Sequence, residues 1–222
     1  MFSYIFMKIL EAYPQTYDRR MDRLSRGRVK RVKEAVAAEV PTGAHVLEIG
    51  CGSGELAEMM IAKGATVTGI DTNPLMVEKA LERMKARDLK DKVTIQKMGI
   101  DGMDGLPSST FDTVVSTLVF SEFTGDERRF ALKQSYRVLK PGGVFIIADE
   151  VVPRTAFRKI LQAFVRLPLL AITYLVARTA THPIHDLRGE LETAGFSIQK
   201  EVRSQGDTFA LVVASYAFKS TV

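Results

Sequence analysis

The 222-residue chain has little of what staples small secreted proteins or builds metal centres: one cysteine, Cys51, and three histidines. One cysteine excludes an intrachain disulfide and points to an intracellular, cytoplasmic protein, and no resident metal is expected. Met1 to Leu10 is apolar apart from Ser3 and Lys8, with no basic leader before it and no small-residue cleavage site, so a secretory signal is not expected. Phe2, Ile5, Phe6, Ile9 and Leu10 instead fit one helical face. An uninterrupted apolar run of the about 20 residues that a membrane-spanning helix needs is also missing. The most apolar stretch, 153–180, is broken by Arg166 and Pro168, which leaves Leu167 to Ala177 uncharged and predicts two short helices. Acids are absent where bases collect. Residues 151–180 hold five Lys/Arg and no Asp/Glu, and residues 1–40 hold nine and five, so the rest of a chain of net charge +5 carries −4. Two basic segments thus flank a mildly acidic middle. They are either solvated helix faces or patches that meet an anionic membrane or an acidic partner.

What remains is ordinary for a globular domain. With 46% hydrophobic and 26% charged residues, 222 residues suffice for one α/β domain with a sizeable core, and no repeat or low-complexity linker divides it. The middle is organised around Val46-Leu47-Glu48-Ile49-Gly50-Cys51-Gly52-Ser53-Gly54, a short apolar run that meets three glycines at alternate positions. Leu56, Met59, Met60 and Ile61 then share a helical face, which reads as strand, tight turn and helix. The glycine spacing of one, three and five differs from the dinucleotide fingerprint of one, three and six. Asp71 ends a second apolar strand, Val67-Thr68-Gly69-Ile70-Asp71, and lies 21 residues after Gly50, one helix and one strand later, as a βαβ unit requires. An acid in that place can accept both hydroxyls of a ribose.

These residues resemble the class I S-adenosylmethionine-dependent methyltransferases (type 11-like), in the broad form that serves ubiquinone and menaquinone biosynthesis. The resemblance is carried by Leu47 to Gly54, Gly69-Ile70-Asp71, Phe111-Asp112-Thr113-Val114-Val115 and Leu139-Lys140-Pro141-Gly142-Gly143. It runs from about Val46 to Val152 and returns near Leu187. It implies a single α/β domain, 1–222: a Rossmann-like, doubly wound, seven-stranded sheet, mostly parallel with an antiparallel C-terminal hairpin strand. Helices in residues 1–40 would form a lid, with Tyr17 and Met21 facing the ligands, and 153–180 would be an apolar helical cap inserted after strand 5. It further implies S-adenosylmethionine as cofactor and S-adenosylhomocysteine as product. The residues it assigns to that cofactor are Tyr17, Glu48, Gly50, Cys51, Gly52, Gly54, Asp71, Thr72, Met76, Ile100, Asp101, Thr117 and Leu118. Many members have Gly-Asp-Ala after the third strand. This chain has Gly99-Ile100-Asp101, so backbone groups around Ile100 and Asp101 are expected to meet the adenine instead.

The remaining pattern supplies the candidate chemistry. A helix from Pro74 to about Arg87 presents Met76, Val77, Ala80, Leu81 and Met84 inward, and Val93-Thr94-Ile95 is a short third strand. Phe111 to Val119 is the fourth strand, so Leu118 to Phe123 should border the acceptor. Glu122 reads as a base or as a cap of the next helix, Arg128 to Leu139. Val144 to Ala148 is the fifth strand, ending at Asp149-Glu150, read as active-edge acids or solvated carboxylates. Phe196 to Val202 and Thr208 to Tyr216 form a hairpin. Sulfonium methyl transfer needs a base only when the acceptor is protonated, and Tyr17, Glu122, Asp149, His182 and His185 are the candidates. Cys51 sits in the cofactor turn, where it reads as a small filler and not a nucleophile. A cytosine-C5 or arsenic mechanism therefore lacks its cysteines. The Asn/Asp-Pro-Pro-aromatic signature of amino-methylating nucleic-acid enzymes is replaced by Leu118-Val119-Phe120-Ser121, so nucleic acid is not the expected partner. A lipophilic or aromatic small molecule or lipid is the expected acceptor, with peripheral contact at the inner membrane surface through the basic segments. A narrower resemblance, through Tyr17-Asp18-Arg19-Arg20-Met21-Asp22 and the apolar insert before Thr181-His182-Pro183, is to corrinoid-protein-associated methyltransferases and implies a corrinoid protein partner. A non-catalytic cofactor-binding module is the reading from a different class.

Overall fold

The computed structural model describes Leu10, residues 13–155 and residues 183–216. The apolar face of residues 1–9, the cap sequence from 156 to 180, and His182 lie outside the described residues. After a short turn at Pro14–Thr16 come helices α1 (Tyr17–Ser25) and α2 (Arg28–Glu39), separated where Arg26 and Gly27 both take positive φ. Then follow β1 (His45–Ile49), α3 (Glu55–Ala62), β2 (Thr66–Asp71), α4 (Pro74–Ala86), β3 (Val93–Lys97), β4 (Phe111–Thr117), α5 (Gly125–Val138), β5 (Leu139–Glu150), α6 (Leu187–Thr193), β6 (Phe196–Arg203) and β7 (Phe209–Tyr216). The seven strands lie in the order β3-β2-β1-β4-β5-β7-β6. All neighbours are parallel except β7, which runs antiparallel to both β5 and β6. This is the Rossmann-like, doubly wound sheet that the motifs imply.

The order reverses between β1 and β4, so a crevice opens at the carboxyl ends of those two strands. Successive strand residues feed two apolar layers. Leu47, Ile49, Val114, Phe145 and Ile147 pack on one face, and Val46, Val115, Ile146 and Ala148 on the other. Burial on both faces explains why the central strands read as nearly continuous apolar runs. Two details differ from the sequence reading. Pro141-Gly142-Gly143 does not precede β5 but bulges within it, where the pairing jumps from Phe111↔Leu139 to Thr113↔Val144. In α4, Met76, Val77, Ala80 and Met84 are buried, but Leu81 is 49% exposed. At about 100° per residue the four buried positions share an arc of about 100°, and Leu81 falls about 40° outside it.

The chain leaves and re-enters the described fold at one place. Val151 and Ile184 form a parallel bridge, with Val152 N donating to Ile184 O (2.9 Å) and Ile184 N donating to Glu150 O (3.0 Å). The two ends of the 156–182 segment are therefore tied side by side beyond the end of β5. Among the described residues no helix is long and apolar enough to cross a membrane.

The correction at Leu81 has a measurable consequence. Met84→Ala empties a fully buried site and should cost about 2–5 kcal/mol, whereas Leu81→Ala should stay within about 0.5 kcal/mol. Urea midpoints of the two variants check this. Equal losses would place Leu81 in the core after all.

Candidate cofactor and acceptor site

The glycine turn sets the site. As β1 ends, Gly50 N and Cys51 N both donate to Ile70 O (2.8 and 3.0 Å), which folds the turn back over the end of β2. Gly50, Gly52 and Gly54 all have positive φ, but their surroundings differ. A Cβ on Gly50 would collide with Val119, just past β4. One on Gly54 would sit 2.9 Å from Met84 Cε and 3.1 Å from Ala80 Cβ of α4. One on Gly52 would meet only Met76 Cε, at 3.6 Å. The first and third glycines admit protein, and the middle one presents open backbone. Beside it Asp71 is held by two main-chain donors: Gly52 N to Oδ2 (2.8 Å) and Asn73 N to Oδ1 (2.9 Å).

A cavity of about 290 Å³ lies over this turn. From the strand ends it is lined by Glu48, Gly50, Cys51, Gly52, Asp71 and Thr72; from α4 and the turn after β3 by Met76, Ile100 and Asp101; from the β4 exit by Thr117, Leu118 and Glu122; and from α1 by Tyr17 and Met21. Leu118 has φ +62, a backbone conformation that leucine rarely takes and that recurs at functional turns. The Asp101 carboxylate folds back against Gly99, where a Cβ would strike it. Three expected residues lie elsewhere. Gly54 begins α3 against α4, as described. Asp149 is not a solvated edge acid. It is fully buried, paired in the sheet opposite Ala210, and accepts from Ser121 N (3.2 Å) and Glu150 N (2.7 Å), so it pins the β4 exit to β5. Burial pushes its carboxyl pKa up, against those hydrogen bonds. His185 lines a separate cavity of about 370 Å³ with Arg154, Arg188, Glu201 and Arg203. The cap of α5 is Thr124 in a capping box with Glu127, not Glu122, whose place is the cavity wall.

Charge within the cavity is unusual. Glu48 is 3% exposed, and its Oε2 has no hydrogen-bond partner among the described residues. Burial raises its pKa from 4.5 to about 8; Lys33 opposes the shift and Asp71 adds to it. Lys33, which also lines the cavity, is paired at 2.8 Å with Glu55 of α3. Burial, with Glu48 and Asp71 nearby, pushes the Cys51 thiol well above its usual range, and the side chain packs against Gly69. A thiol so placed holds its proton and is no nucleophile. The orphaned oxygen of Glu48, the open backbone at Gly52 and the pinned carboxylate of Asp71 together fit a nucleoside ligand that brings its own positive charge. Among the described residues no cluster of His, Cys, Asp and Glu could hold a metal ion.

Sequence reasoning missed Asp18, Lys33 and Arg83, whereas Val119 falls inside the Leu118–Phe123 stretch expected to border the acceptor. Asp18 carries no signal of its own beside Tyr17. Nothing in residue spacing joins Arg83 to a turn thirty residues earlier.

The state of Glu48 makes stability depend on pH. The folded chain holds a proton on this carboxyl that the unfolded chain has already lost between pH 4.5 and about 8. Its contribution is therefore complete below pH 4.5 and is lost as pH rises through about 8. In Glu48→Gln the fall in urea midpoint from pH 5 to pH 8 should be smaller than in the unaltered protein. Identical slopes would show that Glu48 is ionised throughout.

Comparison with known proteins agrees with this geometry. Residues 46–143 match the family model described as a methyltransferase domain. An S-adenosyl-L-methionine-dependent Diels-Alderase of Talaromyces variabilis is 33% identical over 111 residues, 50% of this chain and 37% of the relative. A demethylmenaquinone methyltransferase of Symbiobacterium thermophilum is 34% identical over 119 residues, 52% of this chain and 46% of the relative. The chain thus spans less than half the length of either. An uncharacterized methyltransferase of Geobacillus sp. (strain WCH70) matches more fully, 35% identical over 169 residues, 75% of this chain and 70% of the relative. Among solved structures, an S-adenosylmethionine-dependent methyltransferase of Mesorhizobium loti shares the fold at TM-score 0.63 and 19% identity, over 82% of this chain and 96% of that one. The motif order, the switch-point crevice and these relatives converge: the chain belongs to the class I S-adenosylmethionine-dependent methyltransferases.

Proposed function

We propose that the protein transfers a methyl group directly from S-adenosylmethionine to a lipophilic or aromatic acceptor, of which a quinone-type ring is the leading class. The observation that carries this reading is the apolar wall facing the glycine turn. Met21, Val29, Leu118, Val119 and Phe123 line the cavity there, with Glu122 and Tyr17 as the ionisable residues of the same lining. Such a wall suits a flat apolar ring better than a charged substrate. The demethylmenaquinone methyltransferase among the relatives supports the same class.

In this reading Asp71 holds the ribose hydroxyls, Gly52 lets the ligand lie on bare backbone, and Glu48 receives the ammonium group. Thr72, Met76, Ile100 and Asp101 cradle the base. The bound cofactor supplies an already activated methyl group. The chain's own work is to align the acceptor and exclude water, and Tyr17 and Met21 on α1 close the crevice for that purpose. A hydroxyl acceptor would give its proton to the Glu122 carboxylate, or to Tyr17 once that residue is a phenolate, since Asp149 is sealed in the sheet and His185 lies in the other cavity. The lid also suggests where the acceptor comes from. Arg19, Arg20, Arg23, Arg28, Lys30 and Arg31 are exposed on α1 and α2, with Leu24 45% and Tyr13 59% exposed beside them. An anionic lipid surface that carries a lipophilic acceptor matches that face.

Two measurements test the reading. Removing the carboxylate in Asp71→Ala should weaken S-adenosylhomocysteine binding roughly tenfold to a hundredfold by calorimetry, the loss of a charge-assisted hydrogen bond. Unchanged affinity in a folded variant would refute the ribose assignment. For the acceptor, demethylmenaquinone chemically reduced to its quinol, whose electron-rich ring carbon can attack the methyl group and then lose its proton, is presented in anionic and in neutral vesicles at low and high salt. S-adenosylhomocysteine and methylated ring should appear one for one, faster on anionic vesicles and slowed by salt. Ring conversion without S-adenosylhomocysteine, or turnover only when a corrinoid protein is added, would overturn the proposal.

A further inference from the structure

We propose that Asp18 is a positioning residue: with Arg83 and Ser53 it latches the lid helix α1 to the glycine turn and sets how long the cofactor is retained. The inference rests on the cofactor reading above, and not on the identity of the acceptor.

Ser53 lies between Gly52 and Gly54 and is 2% exposed. Both of its polar groups are engaged. Its hydroxyl donates to Asp18 Oδ1 (2.5 Å), and its carbonyl accepts from Arg83 Nε (2.9 Å). The other end of the Arg83 guanidinium pairs with Asp18 Oδ2, and its Nη1 donates to Glu58 Oε2 (2.9 Å) on α3. One carboxylate on the lid and one guanidinium on α4 thus grip the same turn residue from two sides. The Asp18 and Arg83 side chains are only 22% and 17% exposed, so water screens this pair less than a surface one.

The place of the latch in α1 gives it consequence. Tyr17, the preceding residue, and Met21, about one turn later, both line the cavity. Among the described residues the apolar grip of α1 is small: Leu10, Met21 and Val29, with Tyr17 and Leu118 packed against them. Of the described contacts that hold α1 over a ligand lying on Gly52, the charged network at Asp18 is the one that reaches the glycine turn. Moving α1 away breaks the hydrogen bond to Ser53 and the pair with Arg83 together. That cost falls on release of a bound ligand, and it is absent from the fold of the sheet beneath. A second link to α4 starts in the turn just before α1, where Gln15 bonds Glu82 (3.1 Å) and Lys79 (3.0 Å) on the exposed side of that helix without touching the glycine turn. It provides the control.

The test measures dissociation of radiolabelled S-adenosylhomocysteine after a chase with unlabelled ligand, using the full chain. Asp18→Asn keeps an oxygen for Ser53 but loses the ion pair, and release should quicken about tenfold, the range expected when a charge-assisted contact is lost. Arg83→Met should do the same, and the double variant should release no faster than the quicker single one. Gln15→Ala should change release less than twofold. Tryptic cleavage after Arg19, Arg20 or Arg23 at saturating ligand should quicken in Asp18→Asn, because α1 lifts more often. A purely structural ion pair would lower the urea midpoint and leave release unchanged, and that result overturns the latch. Faster release in Arg83→Met alone would overturn it too, because Arg83 would then hold the turn and not the lid. Should Asp18→Asn fail to fold, Ser53→Ala removes the hydroxyl donor and carries the same expectation. An unaltered protein that does not bind S-adenosylhomocysteine would refute the cofactor reading, whereas binding with unchanged release in the variants refutes the latch alone.

Discussion

At Gly50 the backbone leaves β1 so close to Val119 that no side chain fits between them. This approach ties the two strands at which the sheet order reverses, β1 and β4, to one turn. Because Val119 must lie against Gly50, the chain leaving β4 turns at once, through Leu118 at positive φ and into the short turn Phe120–Glu122. That turn is fastened from behind by Asp149 through Ser121 N. On the other side, Gly54 lets Met84 and Ala80 of α4 press on the start of α3. The crevice keeps its shape because the glycine turn is packed between two elements that cannot approach or retreat independently.

Two buried acids in this neighbourhood show how burial separates structural from receptive groups. Asp149 and Glu48 are both nearly inaccessible and both pushed toward the neutral form. Asp149 is met by backbone donors of Phe120, Ser121 and Glu150 and by the Ser121 hydroxyl, so its oxygens are satisfied within the protein. Glu48 lines the cavity and keeps an oxygen with no partner among the described residues. An unsatisfied buried acceptor is costly, and in a site that receives a cationic ligand the cost is relieved on binding. Identity and sequence position would not have told these carboxylates apart, since each stands at the end of a strand in the same sheet.

The sheet was legible because parallel strands buried on both faces leave apolar runs, and because Gly50 to Gly54 and Asp71 fall at the intervals of a βαβ unit. The cavity wall was legible in part for the same reason, as with Asp71, Thr72 and Leu118, which stand at or just beyond strand ends. What the sequence hid depended on contacts between distant segments. Periodicity could not decide the edge of the α4 stripe, so Leu81 read as core. Asp149 read as an active-edge acid or a solvated carboxylate because its burial is imposed by β7, sixty residues later, and His185 stood among the candidate bases although its strand-end bridge carries it to another cavity. Glu122 passed for a helix cap because the true cap, Thr124 with Glu127, begins two residues beyond it.

The lid combines these lessons. Its sequence is dominated by basic residues, which draws attention to what α1 and α2 show to solvent. Its inner side turns on the few residues that break that pattern, Tyr17, Asp18, Met21 and Val29, together with one base, Lys33. Asp18 is an acid next to two arginines in the chain, yet it pairs with neither and reaches Arg83 on α4. Lys33 is one base among many, yet it bridges α2 to Glu55 at the start of α3 and faces Glu48 across the cavity. Each tie joins the lid to an element that frames the glycine turn. In the proposed reading the outer charges serve docking and the inner ones hold the cover, two tasks given to different side chains of the same two helices.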